Sequence, residues 1–335
     1  MLLKNKTSII LTAYNGEKYI REQIESILAQ TSKDWELIIC EDHSSDSTLK
    51  IAEEYADKYD NISIIKNEKN LGLTENFAKG LICANGEFIA VCDVDDYWLP
   101  EKIELQLKIL KEHKDIGLVY HDVYITDENL RIQKKSSLRK ILRGNIFSLH
   151  RVNVNKDNLE SLIRTNHITA PTIMFRASLK EKILPIPKNS LQDMWIGLIA
   201  AAFSKIYFID KQLIKYRQHG DNMVGIKING YKYYFKNLFN KNFLSLYRQT
   251  LKNYLERMTA LRKKILEANK TNLVSPVEQK EKYLKNLIDF LDSQGIIQNL
   301  KKFLICAKQI KKSRQTNNFH MLIYCLLYKI NPIKF

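Results

Sequence analysis

The chain has 335 residues, 45% hydrophobic and 27% charged, with 11 Gly and 6 Pro. That size and balance suit one large core, or a main domain with an appendage, and exclude a disordered, collagen-like or low-complexity chain. The net charge of +16 is unevenly placed: residues 221–335 carry 22 Lys+Arg against 7 Asp+Glu, and residues 1–220 carry 31 against 30.

In chain order, Thr7–Thr12 is a short β-branched run that reads as a strand. After Asn15-Gly16, the stretch Glu17–Gln30 places Ile20, Ile24, Ile27 and Leu28 on one helical face. Trp35–Cys40 is a second strand, and Ser44, Ser45 and Asp46 are capping residues for a helix over Ser47–Tyr59. Ile62–Ile65 is a third strand, Glu75–Cys83 a helix and Phe88–Cys92 a fourth strand. Leu99-Pro100 opens a helix running to about His113. Strand and helix alternate through near-continuous apolar strands, which predicts an α/β fold whose mostly parallel central sheet is covered on both faces. Beyond Asn222 the chain turns to amphipathic helices at about Tyr231–Leu238, Leu244–Asn269, Val277–Ser293 and Gly295–Lys312. We divide it into 1–225 (nucleotide side to about 115, acceptor side 116–225) and a basic helical region, 226–335. The longest apolar run, Met321–Tyr328, is well short of the ~20 residues that cross a bilayer. The run Ser8–Leu11 is too short for a signal-peptide core. Cys40, Cys83, Cys92, Cys306 and Cys325 are odd in number and lack metal-binding spacing, so a reducing, cytoplasmic setting is expected.

Parallel sheets bind ligands beyond the carboxyl ends of their strands. There the sequence places Thr12-Ala13-Tyr14-Asn15, then Glu41 to Thr48, then Asp93-Val94-Asp95-Asp96. Three aspartates in four residues repel one another unless something neutralises them, and a hard divalent cation does so. A diphosphate on that cation becomes a better leaving group. The alternative is that Asp95 and Asp96 only start the next turn.

The runs TAYNGEKYIREQIESILAQ, EDHSSDST, KNEKNLGLTENFAKG and CDVDDYWLPEKIE together resemble a family-2 glycosyltransferase of the GT-A fold, over about residues 7–225. The resemblance implies that Thr12, Ala13, Tyr14, Asn15, Glu17 and Asp42 hold the nucleotide, Asp42 near its base, with Lys69, Asn70 and Val94 lining the donor pocket. It implies that Asp93 and Asp95 form the DxD motif facing Mn²⁺ or Mg²⁺ and the diphosphate, Asp96 being the weaker member. His43 stands where many relatives have Gly. Asp193, in Gln192-Asp193-Met194-Trp195, falls where the family places the general base. On local sequence alone the preferred reading is that it caps the following helix, and the resemblance reverses that order. Lys215 to Asn222 resembles the YRQHxxN element of bacterial rhamnosyltransferase-like members. The resemblance implies that His219 is a metal or diphosphate ligand and Arg217 a diphosphate contact, the alternative for His219 being a hydrogen-bonded surface residue in its Gly-containing turn. Trp98, Thr172 and Trp195 are candidates for the acceptor side, each Trp equally suited to the core.

The activity so implied is inverting, metal-dependent transfer of a sugar from a UDP- or dTDP-linked donor to a saccharide hydroxyl. The acceptor expected is lipid-linked, in bacterial surface-polysaccharide synthesis. Lys301, Lys302, Lys311, Lys312 and Arg314 flank apolar runs and suit an anionic membrane surface. A helical appendage that packs on the catalytic part, or pairs two copies, is the other reading. No nucleic-acid motif is present. Nucleotidyltransferases would show a Gly-rich phosphate loop after the first strand, which TAYNGEKY lacks. A non-catalytic binding or scaffold protein would have no need of Asp93, Asp95 and Asp193 together.

Overall fold

The computed structural model describes residues 3–133, 159–164, 166–220 and 241–292. These fall into two compact units, one within residues 3–220 and one within 241–292. The predicted helices at 231–238 and 295–312, the apolar run 321–328 and the basic residues from Lys301 to Arg314 lie outside the described residues.

The first unit is built on one eight-stranded sheet in the order β3-β2-β1-β4-β7-β6-β8-β5. Strands β1 (Leu3–Ala13), β2 (Trp35–Glu41), β3 (Ile62–Lys66) and β4 (Gly86–Asp93) form its parallel half. Helices α1 (Ile20–Leu28), α2 (Thr48–Lys58) and α3 (Leu73–Cys83) connect them. Ile9, Ile10, Leu11, Leu37, Ile39, Ala90 and Val91 have no exposed surface, as continuous apolar strands covered on both faces require. The predicted alternation is therefore present, with β1 longer than Thr7–Thr12 because its pairing with β4 reaches back to Leu3 and Gly86.

The other half is mixed. Strand β7 (Met174–Arg176) runs antiparallel to both β4 and β6 (Ile116–Thr126), and β8 (Lys205–Arg217) runs parallel to β6. The two-residue β5 (Tyr97–Trp98) lies antiparallel on β8, with Tyr97 opposite Lys215 and Trp98 opposite Ile214. Helices α4 (Lys102–Glu112), α5 (Leu159–Arg164) and α6 (Gln192–Phe203) complete this part. Register sets the site: Thr12 lies beside Cys40 on one flank and Asp93 on the other, so the ends of three strands meet at one edge.

The second unit, as described, is a helical pair, α7 (Lys241–Glu267) and α8 (Val274–Asp292). Met258, Leu261, Ile265, Val277, Leu284 and Leu287 are buried in it. Burial of Lys280 is accommodated by the rings of Tyr254 and Tyr283, 4.8 and 5.4 Å from its amine. Arg262 reaches the Glu281 carboxylate at 3.1 Å.

Candidate active site

The loops after β1 and β2 are stitched to each other. The Asn15 and Gly16 backbone N–H groups donate to Ser44 Oγ (3.0 Å) and Thr48 Oγ1 (2.7 Å), and Glu17 N–H donates to Asp46 Oδ2 (3.1 Å). In return Ser45 N–H donates to Asn15 Oδ1 (2.9 Å) and Ser47 N–H to Glu17 Oε2 (2.9 Å). Asn15 and His43 both have positive φ, at 48° and 62°. Asn tolerates this conformation; His43 adopts it with its own backbone N–H held by Glu41 at 3.2 Å. Burial works against ionisation of Asp46, but hydrogen bonds from Thr48 and Glu17 outweigh it and hold its carboxyl below the ordinary value. Thr12 and Ala13 are buried at this edge, whereas Tyr14, half exposed, and Asn15 and Glu17 open to solvent.

Asp42 is buried and brackets the loop after β3. Its Oδ1 accepts from Asn67 Nδ2 and Leu71 N–H, and its Oδ2 from Gly72 N–H, each at 2.8 Å. Gly72, with φ of 81°, takes a conformation that suits glycine at the start of α3. Lys69 and Asn70 lie exposed on the same loop.

Beside these loops, Asp93, Val94 and Asp95 are partly exposed and Asp96 is buried. The Asp93 carboxyl is pushed up to about 8, first by burial, then by the negative charges of Asp95 and Asp193. The Asp96 carboxyl is pushed well up by burial and by Asp95 and Asp93; its Oδ1 accepts from Arg217 N–H at 3.2 Å. Asp193, far off in sequence, is thus close enough to act on Asp93. It sits in the first turn of α6, whose N-cap position is Leu191, and its Oδ1 accepts from Met194 N–H at 2.6 Å. Asp193 is therefore not the N-cap that the local sequence offered, since the cap position falls two residues earlier; its carboxylate in the first turn is favoured by the helix dipole instead.

Two residues not singled out in the sequence join this group. Asn166 donates through Nδ2 to Asp193 Oδ2 at 3.3 Å. The Tyr216 hydroxyl is raised well above its usual range by burial and then by Asp96, Asp93, Asp95 and Asp193 together, so it shares the field of all four carboxylates. Its place directly before Arg217 was the one available signal.

His219 reaches Asp95 Oδ2 through Nε2 at 2.9 Å, its ring 4.7 Å from that of Tyr19. Arg217 also arrives at the cluster, but only 3% exposed. Its Nε donates to the Asp95 carbonyl at 2.7 Å and its two terminal nitrogens donate to Glu128 O and Glu22 Oε2. Trp98 and Trp195 have no exposed surface and Thr172 almost none. Both tryptophans therefore take the core alternative: the Trp195 indole donates to Ile183 O at 2.7 Å, and the Trp98 ring lies 3.5 Å from the Lys102 amine. Neither offers a ring face to a sugar, because packing of α6 and of β5 against β8 covers them. Thr172 donates to Thr169 O at 2.6 Å inside the short helical turn Ala170–Thr172.

Among the described residues, no three His, Cys, Asp or Glu side chains are already grouped as a metal-ligand set. The donor chemistry nevertheless fits a hard divalent cation completed by ligands from a diphosphate. Asp93 and Asp95 crowd negative charge together, and His219 adds an imidazole beside Asp95.

The model of the glycosyl transferase family 2 domain matches residues 8–183, more than half the chain. The chain belongs to glycosyl transferase family 2. A relative of this family 2 member is an uncharacterised glycosyltransferase of Methanocaldococcus jannaschii, 32% identical over 220 residues, 64% of this chain and 71% of that protein. Matches to other curated relatives span as little as 45% and 58% of those proteins. Among solved structures, residues 1–349 of TarS from S. aureus, in complex with UDP-GlcNAc, are similar with a TM-score of 0.53 and 18% identity. The likeness covers 84% of this chain and 91% of that one. The mannosyltransferase PcManGT from Pyrobaculum calidifontis, in complex with GDP-Man and Mn²⁺, is similar with a TM-score of 0.51 and 12% identity, over 98% of this chain and 88% of that one. The family 2 chain therefore has a GT-A-like α/β fold. Asp193, Arg217 and His219 lie beyond the matched segment.

Proposed function

We propose that the protein transfers a hexose or deoxyhexose from a UDP- or dTDP-linked donor to a saccharide hydroxyl, with inversion at the anomeric carbon. The observation that supports this reading is the nearness of Asp193, in the first turn of α6, to Asp93 at the end of β4. Asp193 comes from a different element than Asp93 and Asp95, the pair that would face the donor. The nucleotide rests on Thr12, Ala13, Tyr14, Asn15, Glu17 and Asp42, near Lys69, Asn70 and Val94. Asp93, Asp95 and His219 would hold Mn²⁺ or Mg²⁺, which when bound neutralises charge on the departing diphosphate. Asp193 accepts the proton of the acceptor hydroxyl as its oxygen forms a bond to the anomeric carbon. The bond from that carbon to the diphosphate oxygen breaks, and its electron pair leaves with the nucleoside diphosphate. TarS has been solved with UDP-GlcNAc and PcManGT with GDP-Man and Mn²⁺, which supports a nucleotide-sugar donor and a divalent metal for this chain too.

The acceptor is read as a lipid-linked saccharide of a bacterial surface polysaccharide, met at the inner face of the cytoplasmic membrane. The excess of 22 basic over 7 acidic residues in 221–335 supports that placement. No described helix is long and apolar enough to cross a membrane.

A thermal-shift panel of UDP, dTDP, GDP and CMP, each with and without Mn²⁺, tests the donor site. A ligand that binds only the folded protein raises its melting temperature. We expect stabilisation by UDP or dTDP that Mn²⁺ increases, with the Mn²⁺-dependent part lost in Asp95→Ala. No shift with any nucleotide in the folded protein removes the donor-site assignment.

A further inference from the structure

We infer that Arg217 is a positioning residue that fixes the main chain of Asp95, instead of meeting the donor's diphosphate itself. The inference rests on reading Asp93 and Asp95 as the metal and diphosphate site. Its basis is where the guanidinium sends its N–H groups. Nε donates to Asp95 O at 2.7 Å, one terminal nitrogen to Glu128 O, and the other to Glu22 Oε2. The guanidinium carbon stands 4.7 Å from the centre of the Tyr19 ring, and the backbone N–H of the same residue donates to Asp96 Oδ1 at 3.2 Å. The side chain is 3% exposed.

An arginine that clamps a diphosphate presents two parallel N–H groups along an open edge. Here those edges are turned to three separate stretches of this chain: the start of α1, the turn at Asp95-Asp96, and the loop after β6. A planar group with five donors can join three such segments at once; an ammonium at the end of a flexible stem has neither the span nor the fixed directions. His219, two residues further on, holds the Asp95 carboxylate at 2.9 Å and lies against the same Tyr19 ring at 4.7 Å. Arg217 thus sets the carbonyl of Asp95 and His219 its carboxylate. Because Tyr19 and Glu22 follow directly on the Tyr14–Glu17 loop, one guanidinium ties the nucleotide side to the metal side.

The test uses the full chain and two readouts. Mn²⁺ affinity is measured by the electron paramagnetic resonance signal of the free ion, with UDP or dTDP saturating. Affinity for the same nucleotide without metal is measured by calorimetry. In Arg217→Lys, Mn²⁺ should bind about 10-fold more weakly or worse, as when a group supporting a metal ligand is lost. Metal-free nucleotide affinity should change less than about twofold, because no diphosphate contact is removed. Glu22→Ala should weaken Mn²⁺ in the same direction, and the double variant should be no worse than Arg217→Lys alone, since both changes break one connection. Unchanged Mn²⁺ affinity in Arg217→Lys, or a loss confined to metal-free diphosphate binding, would overturn the inference while leaving the donor site in place. If Arg217→Lys does not fold, Glu22→Ala decides, because Mn²⁺ affinity equal to wild type contradicts the connection. Wild-type protein that binds neither nucleotide nor Mn²⁺ removes the donor site, and this inference with it.

Discussion

Asn166 holds the Asp193 oxygen that the α6 backbone leaves to it: its Nδ2 lies 3.3 Å from Asp193 Oδ2, while Met194 N–H donates to Oδ1, and the same Nδ2 also donates to Ile168 O at 3.0 Å. Its Oδ1 accepts from Ile168 N–H at 3.2 Å, so the amide is locked before it meets the carboxylate. Misplacement of a reacting group by about 1 Å costs roughly 100-fold in rate. We therefore expect Asn166→Ala to lower kcat by roughly 10- to 100-fold with donor KM nearly unchanged. Asn166→Asp should be worse, because it faces Asp193 with a like charge. Steady-state kinetics on both variants check this; unchanged turnover in both would leave Asp193 as a helix-end charge only.

Gly16 has no room for a side chain. A Cβ there would stand 2.6 Å from Val94 Cγ2 and 3.0 Å from Cγ1, between the loop after β1 and the Asp93–Asp96 segment. Gly16→Ala should push Val94 aside and destabilise by about 1–3 kcal/mol, as overpacked sites do. A drop in melting temperature accompanied by weaker nucleotide binding is the expected result. Equal nucleotide affinity in the folded variant would show that Val94 moves without disturbing its neighbours.

Lys102 has no exposed surface, and burial presses its amine down to about 7. It donates to Gln106 Oε1 at 3.1 Å, and Gln106 in turn donates to Thr172 O at 2.9 Å. A lysine whose folded value is depressed binds fewer protons folded than unfolded. Its penalty is complete below about 7 and fades as pH rises toward about 10.5, so this residue makes stability rise with pH across that window. In urea titrations at pH 6 and pH 9, the stability gained by wild type on going to pH 9 should exceed that of Lys102→Met by about a few kcal/mol. Parallel curves for the two proteins would mean that the amine is charged and satisfied in place.

If residues 221–335 meet an anionic bilayer, the full chain should sediment with vesicles containing phosphatidylglycerol and not with pure phosphatidylcholine. Each basic residue near such a surface contributes about 1 kcal/mol, and the attraction is screened by salt. Binding should fall steeply between 50 and 500 mM NaCl, values chosen as roughly a threefold change in screening length. Equal binding to both vesicle types, or none to either, would favour a helical appendage or a pairing surface.

The parallel half of the fold was legible because each of its strands is an apolar run followed by a helical period and a polar cluster. Thr12, Cys40 and Asp93 end up side by side as the alternation demands. Strands β5 and β7 were not legible, since two and three residues carry no period and are strands only through partners far along the chain. The same reason governs the side chains. Arg217 reads as a free basic residue near a phosphate, and nothing local reveals that Glu22 and Glu128 will enclose it. Asn166 gave no signal, because its meaning comes from Asp193, 27 residues on.

The reciprocal hydrogen bonds between the loops after β1 and β2 bear on how tightly a donor can be held. Loops that order only when a ligand arrives subtract that ordering from the affinity; loops already fixed by folding do not. With Asn15, Gly16 and Glu17 fastened to Ser44 through Thr48, the walls proposed for the nucleotide are fixed before any ligand comes. Damage to this seam should thus register first as a less stable protein, and only then as a weaker grip on the donor.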